Sequence, residues 1–318
     1  MYQLIRLMRP GDWSKNAFVL LALMFWLPSQ AGVPLTDLQG PIVSTILTFI
    51  AFSLVASGFY CFNDCFDAEK DRRHPIKRRR PVACGAVSPG TAMFLGAVLL
   101  IVGSTIAAVV NLSVGVVLVV YALMQVGYNA KLKYVMFLDV ITIATGFGLR
   151  AAAGALAIDV QISIWLVGSV FFLTLYIGFV KRLADLTSAR MESGSQWKSP
   201  AGYNNLDELN WLLGLSACLA IVTYLMYSLS EHAAMLFGAR SMGFALLSPL
   251  VLLVIHRFYH RALTGKSDSP ISSLWEDGVV TVSCLCFLVG TLMVLYVPII
   301  GQVLQDVFFY GVPGIPTP

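Results

Sequence analysis

Nine apolar runs follow one another along this chain of 318 residues, at about 16–33, 41–62, 91–109, 112–128, 137–157, 162–180, 209–229, 242–257 and 279–300. Most are roughly 17–22 residues long, which at 1.5 Å per residue is the length an α-helix needs to cross the hydrocarbon layer of a bilayer. A closed β-barrel, the other fold that can satisfy its backbone in lipid, would need short alternating strands, and these runs are continuous. Composition agrees: 58% of residues are hydrophobic and 12% charged, where a soluble domain carries about a quarter charged. The sequence therefore predicts an all-α polytopic membrane protein of nine spans, forming one integral membrane domain over 1–318. No internal repeat, linker or low-complexity segment marks a second domain.

The charges are distributed unevenly. Of 21 Lys and Arg residues, all but Arg150 and Arg240 fall before the first run or between runs 2 and 3, 4 and 5, 6 and 7, or 8 and 9. That alternation supports the count of nine, because a missed span would scramble it. By the positive-inside rule the basic side is cytoplasmic. The expected placement is the inner (cytoplasmic) membrane, with the N-terminus inside and the base-free tail 301–318 outside. A cap of cytoplasmic loops and short helices is expected over the bundle. The start, residues 1–15, reads as a basic amphipathic segment lying in the headgroup layer, with Arg6, Arg9 and Lys15 toward lipid phosphates. A cleaved signal peptide fits it less well, because Asp12 and Trp13 stand near its start. The six cysteines have no metal or redox spacing and read as small buried hydrophobes. His232, His256 and His260 form no metal pattern.

The stretch NDCFDAEKDRRHPIKRRRP, residues 63–81, carries the chemistry. Asp64, Asp67 and Asp71 are spaced i, i+3, i+7, one face of a helix continuing from the second run, with the Asn63 amide beside them. Three like charges on one face call for a cation. Mg²⁺, with Mn²⁺ as second candidate, suits oxygen ligands completed by phosphate and water. A plainer reading is a solvated helix end held by nearby arginines. The bases that follow could anchor anionic lipid. Acids and bases side by side are also what a metal–diphosphate site needs. Arg150 lies inside the fifth run, where a charge is expensive and usually faces the bundle interior. Asp139 stands eleven residues earlier on roughly the same face. Arg150 is open to two readings, a structural ion pair or a contact to phosphate.

NDxxDxxxD at the end of the second of nine helices resembles the first aspartate-rich motif of the UbiA superfamily of intramembrane prenyltransferases. The longer strings RPGDWSKN, NDCFDAEKDRRHPIKRRRPVACG, YNAKLKYVMFLDV, GFGLRAAAG and FVKRLADL are similar to one branch, the decaprenyl-phosphate phosphoribosyltransferases. The resemblance covers most of the chain and implies a UbiA-like bundle. It implies transfer of 5-phosphoribose from phosphoribosyl diphosphate to a polyprenyl phosphate with release of diphosphate, in the synthesis of arabinan precursors for a cell wall.

On this reading the metal ligands are Asn63, Asp64, Asp67 and Asp71, and the catalytic set is Asp64, Asp67, Asp71 and Lys181. The substrate contacts are Lys15, Asn16, Asn63, Arg72, His74, Lys77, Arg78, Arg80, Tyr128, Lys131, Lys133, Asp139, Arg150 and Arg182. Donor and acceptor together bring four phosphorus centres, so many bases should converge. FVKRLADL offers Lys181, Arg182 and a lone Asp185, whereas aromatic prenyltransferases usually carry a second acid pair there. The rival activities are therefore a UbiA-type aromatic prenyltransferase and, from another class, a lipid-phosphate transporter. No nucleic-acid partner is expected. Small-residue helix faces could pack within one chain or between copies.

Overall fold

In the computed structural model the described residues are 1–73, 77–193, 199, 201–265, 274 and 276–308. Among them every regular element is a helix. In chain order the α-helices are α1 (Tyr2–Met8), α2 (Leu21–Trp26), α3 (Leu35–Phe66), α4 (Ala68–Arg72), α5 (Pro89–Val110), α6 (Leu112–Ala130) and α7 (Leu138–Ala157). They continue with α8 (Ile164–Ser193), α9 (Leu206–Ser228), α10 (Glu231–Phe237), α11 (Ser241–Leu246), α12 (Ser248–Leu263), α13 (Gly278–Tyr296) and α14 (Pro298–Phe308).

Seven of these are long and apolar enough to cross a membrane: α3, α5, α6, α7, α8, α9 and α13. The expected eighth run is a bent pair, Glu231–Leu246 followed by Ser248–Leu263 at 44°, which brings the total to eight if it crosses as one span. The first run is not one helix. It is a 3₁₀ helix over Pro10–Leu20, the short α2, and a second 3₁₀ turn over Leu27–Gln30. Pro28 explains part of the break, since it can donate no hydrogen bond to a continuing helix. The tail begins as helix α14.

Two helices are longer than a bilayer requires. Helix α3 has 32 residues and α8 has 30, about 48 and 45 Å against a hydrocarbon core of ~30 Å. The excess carries Asn63 and Asp64 at the end of α3, and Lys181 and Arg182 in the later turns of α8, beyond the purely apolar stretch of each helix.

The chain divides into two compact units: Met1–Met24, Gly32–Ala130 and Leu149–Gln161; and Phe25–Ala31, Lys131–Gly148 and Ile162–Pro318. In the first, α3 packs closely along α5 where a glycine of one helix meets the other. A Cβ added at Gly103 would stand 2.8 Å from Val55 Cγ2 and 2.9 Å from the Ala51 carbonyl oxygen. One at Gly96 would stand 3.2 Å from the Gly58 carbonyl oxygen. Small residues allow this close approach, which in lipid supplies dispersion attraction in place of a hydrophobic driving force. The apolar windows of α5 and α6 are only 22% and 17% buried, so their remaining faces are suited to lipid. In the second unit the core gathers Val140, Phe179, Leu183, Tyr203 and Leu209, with Phe137 stacked on Phe179 at 5.7 Å between centroids.

Candidate active site

In the first unit, α3 presents one polar stripe, Ser53, Ser57, Tyr60 and Asp64, at helical spacing. The N-terminal segment docks along it. Trp13 Nε1 donates to Ser57 Oγ (3.0 Å), and Asn16 Nδ2 donates to Ser53 Oγ (2.9 Å). The Ser57 hydroxyl lies 2.7 Å from the Met8 carbonyl oxygen. The expectation that Arg9 faces lipid phosphate fails here. Its guanidinium sits over the Tyr60 ring at 4.7 Å, and its Nη2 reaches Asp64 Oδ1 at 2.5 Å. Docking of Trp13 and Asn16 on α3 draws this stretch onto the protein. Lys15 is paired with Asp12 at 2.5 Å.

Helix α3 ends at Phe66 and α4 begins at Ala68, with Asp67 between them at φ −90°, ψ 0°. Backbone bonding continues across the break, from Asp67 N to Asn63 O (2.9 Å) and from Asp71 N to Asp67 O (2.8 Å). The expected helical spacing of the three aspartates is therefore nearly kept. Asp64 and Asp71 are both buried, at 1% and 3% exposure, while Asn63 and Asp67 are half-buried.

The bases that follow fold back. A 3₁₀ turn over Lys77–Arg79 leads into buried Pro81, Val82 and Ala83, and Arg72 Nε donates to the Ala83 carbonyl (3.2 Å). This return places Arg80 Nη1 2.6 Å from Asp71 Oδ2 and 3.4 Å from Asp64 Oδ1. Arg78 is exposed, as is Lys77. His74 lies outside the described residues, as do Lys198, Lys266 and Asp268.

The cation that the acidic face demands is thus supplied by two guanidinium groups. Among the described residues no three carboxylate, histidine or cysteine groups converge on one metal position. Yet Asp64 Oδ2 is buried with no hydrogen-bond partner. A buried, unpartnered carboxylate oxygen is costly. Its hard oxygen, with Asp71 as second carboxylate in the same cluster, is the donor type Mg²⁺ takes when phosphate completes its shell. The residues fit the ion by this test.

Arg150 bonds to neutral side chains of the same unit. Its Nε donates to Asn16 Oδ1 (2.6 Å) and its Nη2 to Tyr121 OH (2.9 Å), and its guanidinium lies 4.7 Å from the centre of the Tyr121 ring. Asn16 and Arg150, both expected at substrate, are 1% and 6% exposed. Tyr128 is half-buried near the C-terminal end of α6.

The second unit holds the other polar cluster. Asp139 is fully buried; its Oδ2 takes Arg182 (Nη2 at 2.8 Å, Nε at 2.9 Å) and its Oδ1 accepts from Tyr203 OH at 2.6 Å. Arg182 also reaches Asp185 at 3.5 Å. Tyr203 in turn accepts from the Phe137 backbone N–H (2.9 Å), which fixes Phe137 at φ 73°, a left-handed conformation rare for a bulky residue. Burial first, then the Asp139 carboxylate, pushes the Tyr203 hydroxyl well above the usual tyrosine range. The strut therefore stays hydrogen-bonded at every physiological pH. It anchors the end of the segment that carries Lys131, which is exposed, and Lys133, which lies 5.3 Å from the Tyr134 ring. Lys181 is exposed.

Residues 17–275 match the sequence profile of the UbiA prenyltransferase family. The chain belongs to that family. This UbiA protein is 32% identical over 231 residues to a decaprenyl-phosphate phosphoribosyltransferase of Mycolicibacterium smegmatis, an alignment covering 73% of this chain and 71% of the relative. It is 28% identical over 298 residues to the protein of the same name in Corynebacterium glutamicum, covering 92% and 87%. The branch its motifs resemble is the branch these relatives carry. Its fold resembles a solved digeranylgeranylglyceryl phosphate synthase at TM-score 0.62 and 18% identity, covering 91% of this chain and 97% of that one. It also resembles a UbiA homologue from Archaeoglobus fulgidus solved with GPP and Mg²⁺, at TM-score 0.58 and 16% identity, covering 96% and 99%. The chain is a membrane-spanning transferase of the UbiA family.

Sequence reasoning missed Tyr121 and Tyr203, and it gave Arg9 to lipid phosphate where the fold gives it to Asp64. Arg9 carried a signal that went unused: it opens RPGDWSKN, whose Trp and Asn are too polar at their tips to lie in lipid without partners. Asp139 carried one too, since a buried acid in a span requires a base on a neighbouring helix, and Arg182 stood ready in the next one.

Proposed function

We propose that this protein transfers 5-phosphoribose from phosphoribosyl diphosphate to a polyprenyl phosphate at the cytoplasmic face of the membrane, releasing diphosphate. The observation that carries the reading is the interleaved cluster Arg9–Asp64–Arg80–Asp71, with one buried carboxylate oxygen unpartnered. It is joined by the relatives named for this activity.

Asn63, Asp64, Asp67 and Asp71 would hold Mg²⁺, which when bound supplies charge neutralisation for a departing diphosphate. Lys77, Arg78 and Arg80 take up diphosphate oxygens that carboxylates alone would repel. Lys181, exposed on α8, takes the 5-phosphate. Arg182 is held by Asp139 and Asp185 and orients the turn that bears Lys181. The lipid phosphate oxygen attacks C1 of the ribose from the face opposite the diphosphate, inverting that centre as the C1–O bond to diphosphate breaks. That oxygen is ionised at neutral pH, so no side chain needs to remove a proton. The exposed base Lys181 and the lone Asp185, where aromatic prenyltransferases carry a second acid pair, favour a donor with an additional phosphate over a prenyl diphosphate.

The test is incubation of purified protein with Mg²⁺, labelled phosphoribosyl diphosphate and a polyprenyl phosphate. Label should pass into the lipid phase with stoichiometric diphosphate release, and Asp64→Ala should reduce the rate at least about a hundredfold. Transfer of a prenyl group to an aromatic acceptor, with no phosphoribose transfer, would overturn the reading.

A further inference from the structure

The acidic cluster holds an asymmetry that the proposed reaction does not use. Arg80 has its own partner in Asp71 at 2.6 Å and stands off Asp64 at 3.4 Å. The nearer counter-ion of Asp64 is therefore Arg9, at 2.5 Å. Arg9 is placed unlike the other bases of the cluster. It comes from the N-terminal segment and lies at the joint between α1 and the 3₁₀ helix Pro10–Leu20. Its backbone is left-handed, φ 53° and ψ 60°, a conformation that costs energy for a residue with a Cβ. Its side chain is a quarter exposed, while Asp64 is buried. A strained, partly exposed residue at a joint is held there by its contacts, here Asp64 and the Tyr60 ring.

We propose that Arg9 is an internal counter-ion for Asp64 that a divalent cation must displace, so that Arg9 sets the affinity of the unloaded protein for metal. The proposal rests on the metal reading given above. A divalent ion on Asp64 and a guanidinium on the same carboxylate repel each other. The unpartnered Oδ2 offers the incoming ion a first ligand before Arg9 has left Oδ1. Displacement relieves the left-handed backbone and leaves the guanidinium beside the Tyr60 ring, within reach of substrate phosphate. A binding-competent state that is only partly populated weakens apparent affinity by its population; removing Arg9 removes that penalty.

The experiment measures Mn²⁺ binding to unloaded protein, from the free-ion paramagnetic resonance signal, for wild type, Arg9→Gln, Arg9→Lys and Asp64→Asn. Arg9→Gln should bind Mn²⁺ at least about tenfold more tightly than wild type. Arg9→Lys, which restores the charge, should return toward the wild-type value, and Asp64→Asn should bind poorly. Equal or weaker binding by Arg9→Gln, with Asp64→Asn still defective, overturns the role of Arg9 and leaves the metal site standing. Binding unaffected by Asp64→Asn, or absent from every variant, overturns both. The wild-type protein gives a second measurement that needs no variant to fold: Mn²⁺ should raise amide hydrogen exchange over residues 8–12. Unchanged exchange in Mn²⁺-saturated protein likewise overturns the proposal.

Discussion

At the scale of single residues, the decisive groups are charges whose partners the fold has chosen. Asp277 caps α13, its Oδ1 accepting from Val279 N (3.0 Å) and Val280 N (3.3 Å) while Oδ2 takes Arg257 at 2.7 Å. Burial alone would raise its carboxyl, but the Arg257 bond and the two backbone donors outweigh burial and hold it below the usual range. A depressed carboxyl contributes stability that is present above the unfolded value, about 3.9, and lost as pH falls through the folded one. Asp277→Asn should therefore melt below wild type at pH 7, and the two melting curves should converge below about pH 4. A gap independent of pH would refute this. Tyr203→Phe leaves Asp139 Oδ1 without that donor and the Phe137 N–H without its acceptor. It should cost about 1–3 kcal/mol in thermal or denaturant unfolding. No measurable loss would mean the strut carries nothing. Individual charges were visible in the sequence, but their pairing was not. Asp139 and Arg150 share a helix eleven residues apart, yet Asp139 binds Arg182 and Arg150 binds Asn16, because partners come from whichever element packs alongside.

At the scale of elements, the seven long helices coincide with apolar runs to within a few residues at most ends, since backbone satisfaction in lipid leaves the chain little alternative to helix. The first and eighth runs were apolar enough to be read as spans, yet one is broken into 3₁₀ and α pieces and the other bends. Hydropathy sums along the chain and does not register where the hydrogen-bond ladder stops. The contact between α3 and α5 gives an element-scale prediction. Gly103→Ala places a methyl 2.9 Å from the Ala51 carbonyl, on backbone that cannot swing aside. It should destabilise by about 1–3 kcal/mol. Gly214→Ala on α9 meets nothing within 4 Å and should be neutral or slightly stabilising. Paired melting curves in one detergent decide it; equal shifts at the two positions would contradict the close-packing account.

At the scale of the whole molecule, the bias of Lys and Arg toward alternate loops predicts sidedness. In a background free of cysteine, Arg79→Cys should react with a membrane-impermeant thiol reagent only in inverted vesicles, and Glu231→Cys only in right-side-out ones. Labelling of both from the same side would invalidate the orientation drawn from charge. The class of the protein and the address of its acidic motif were legible because both are local: a run length and a spacing of three and four. The counter-ion from residue 9 was not, because it is brought to residue 64 by docking of a segment whose hydrogen bonds to Ser53 and Ser57 no spacing encodes.

The pairing of Arg9 and Arg80 with Asp64 and Asp71 also bears on how the protein behaves when stripped of divalent ions. Unlike a zinc finger, which unravels once its ion is withdrawn, this transferase carries its own neutralising charges. Extraction in excess EDTA should yield a folded, monodisperse, silent enzyme that regains turnover when Mg²⁺ is returned.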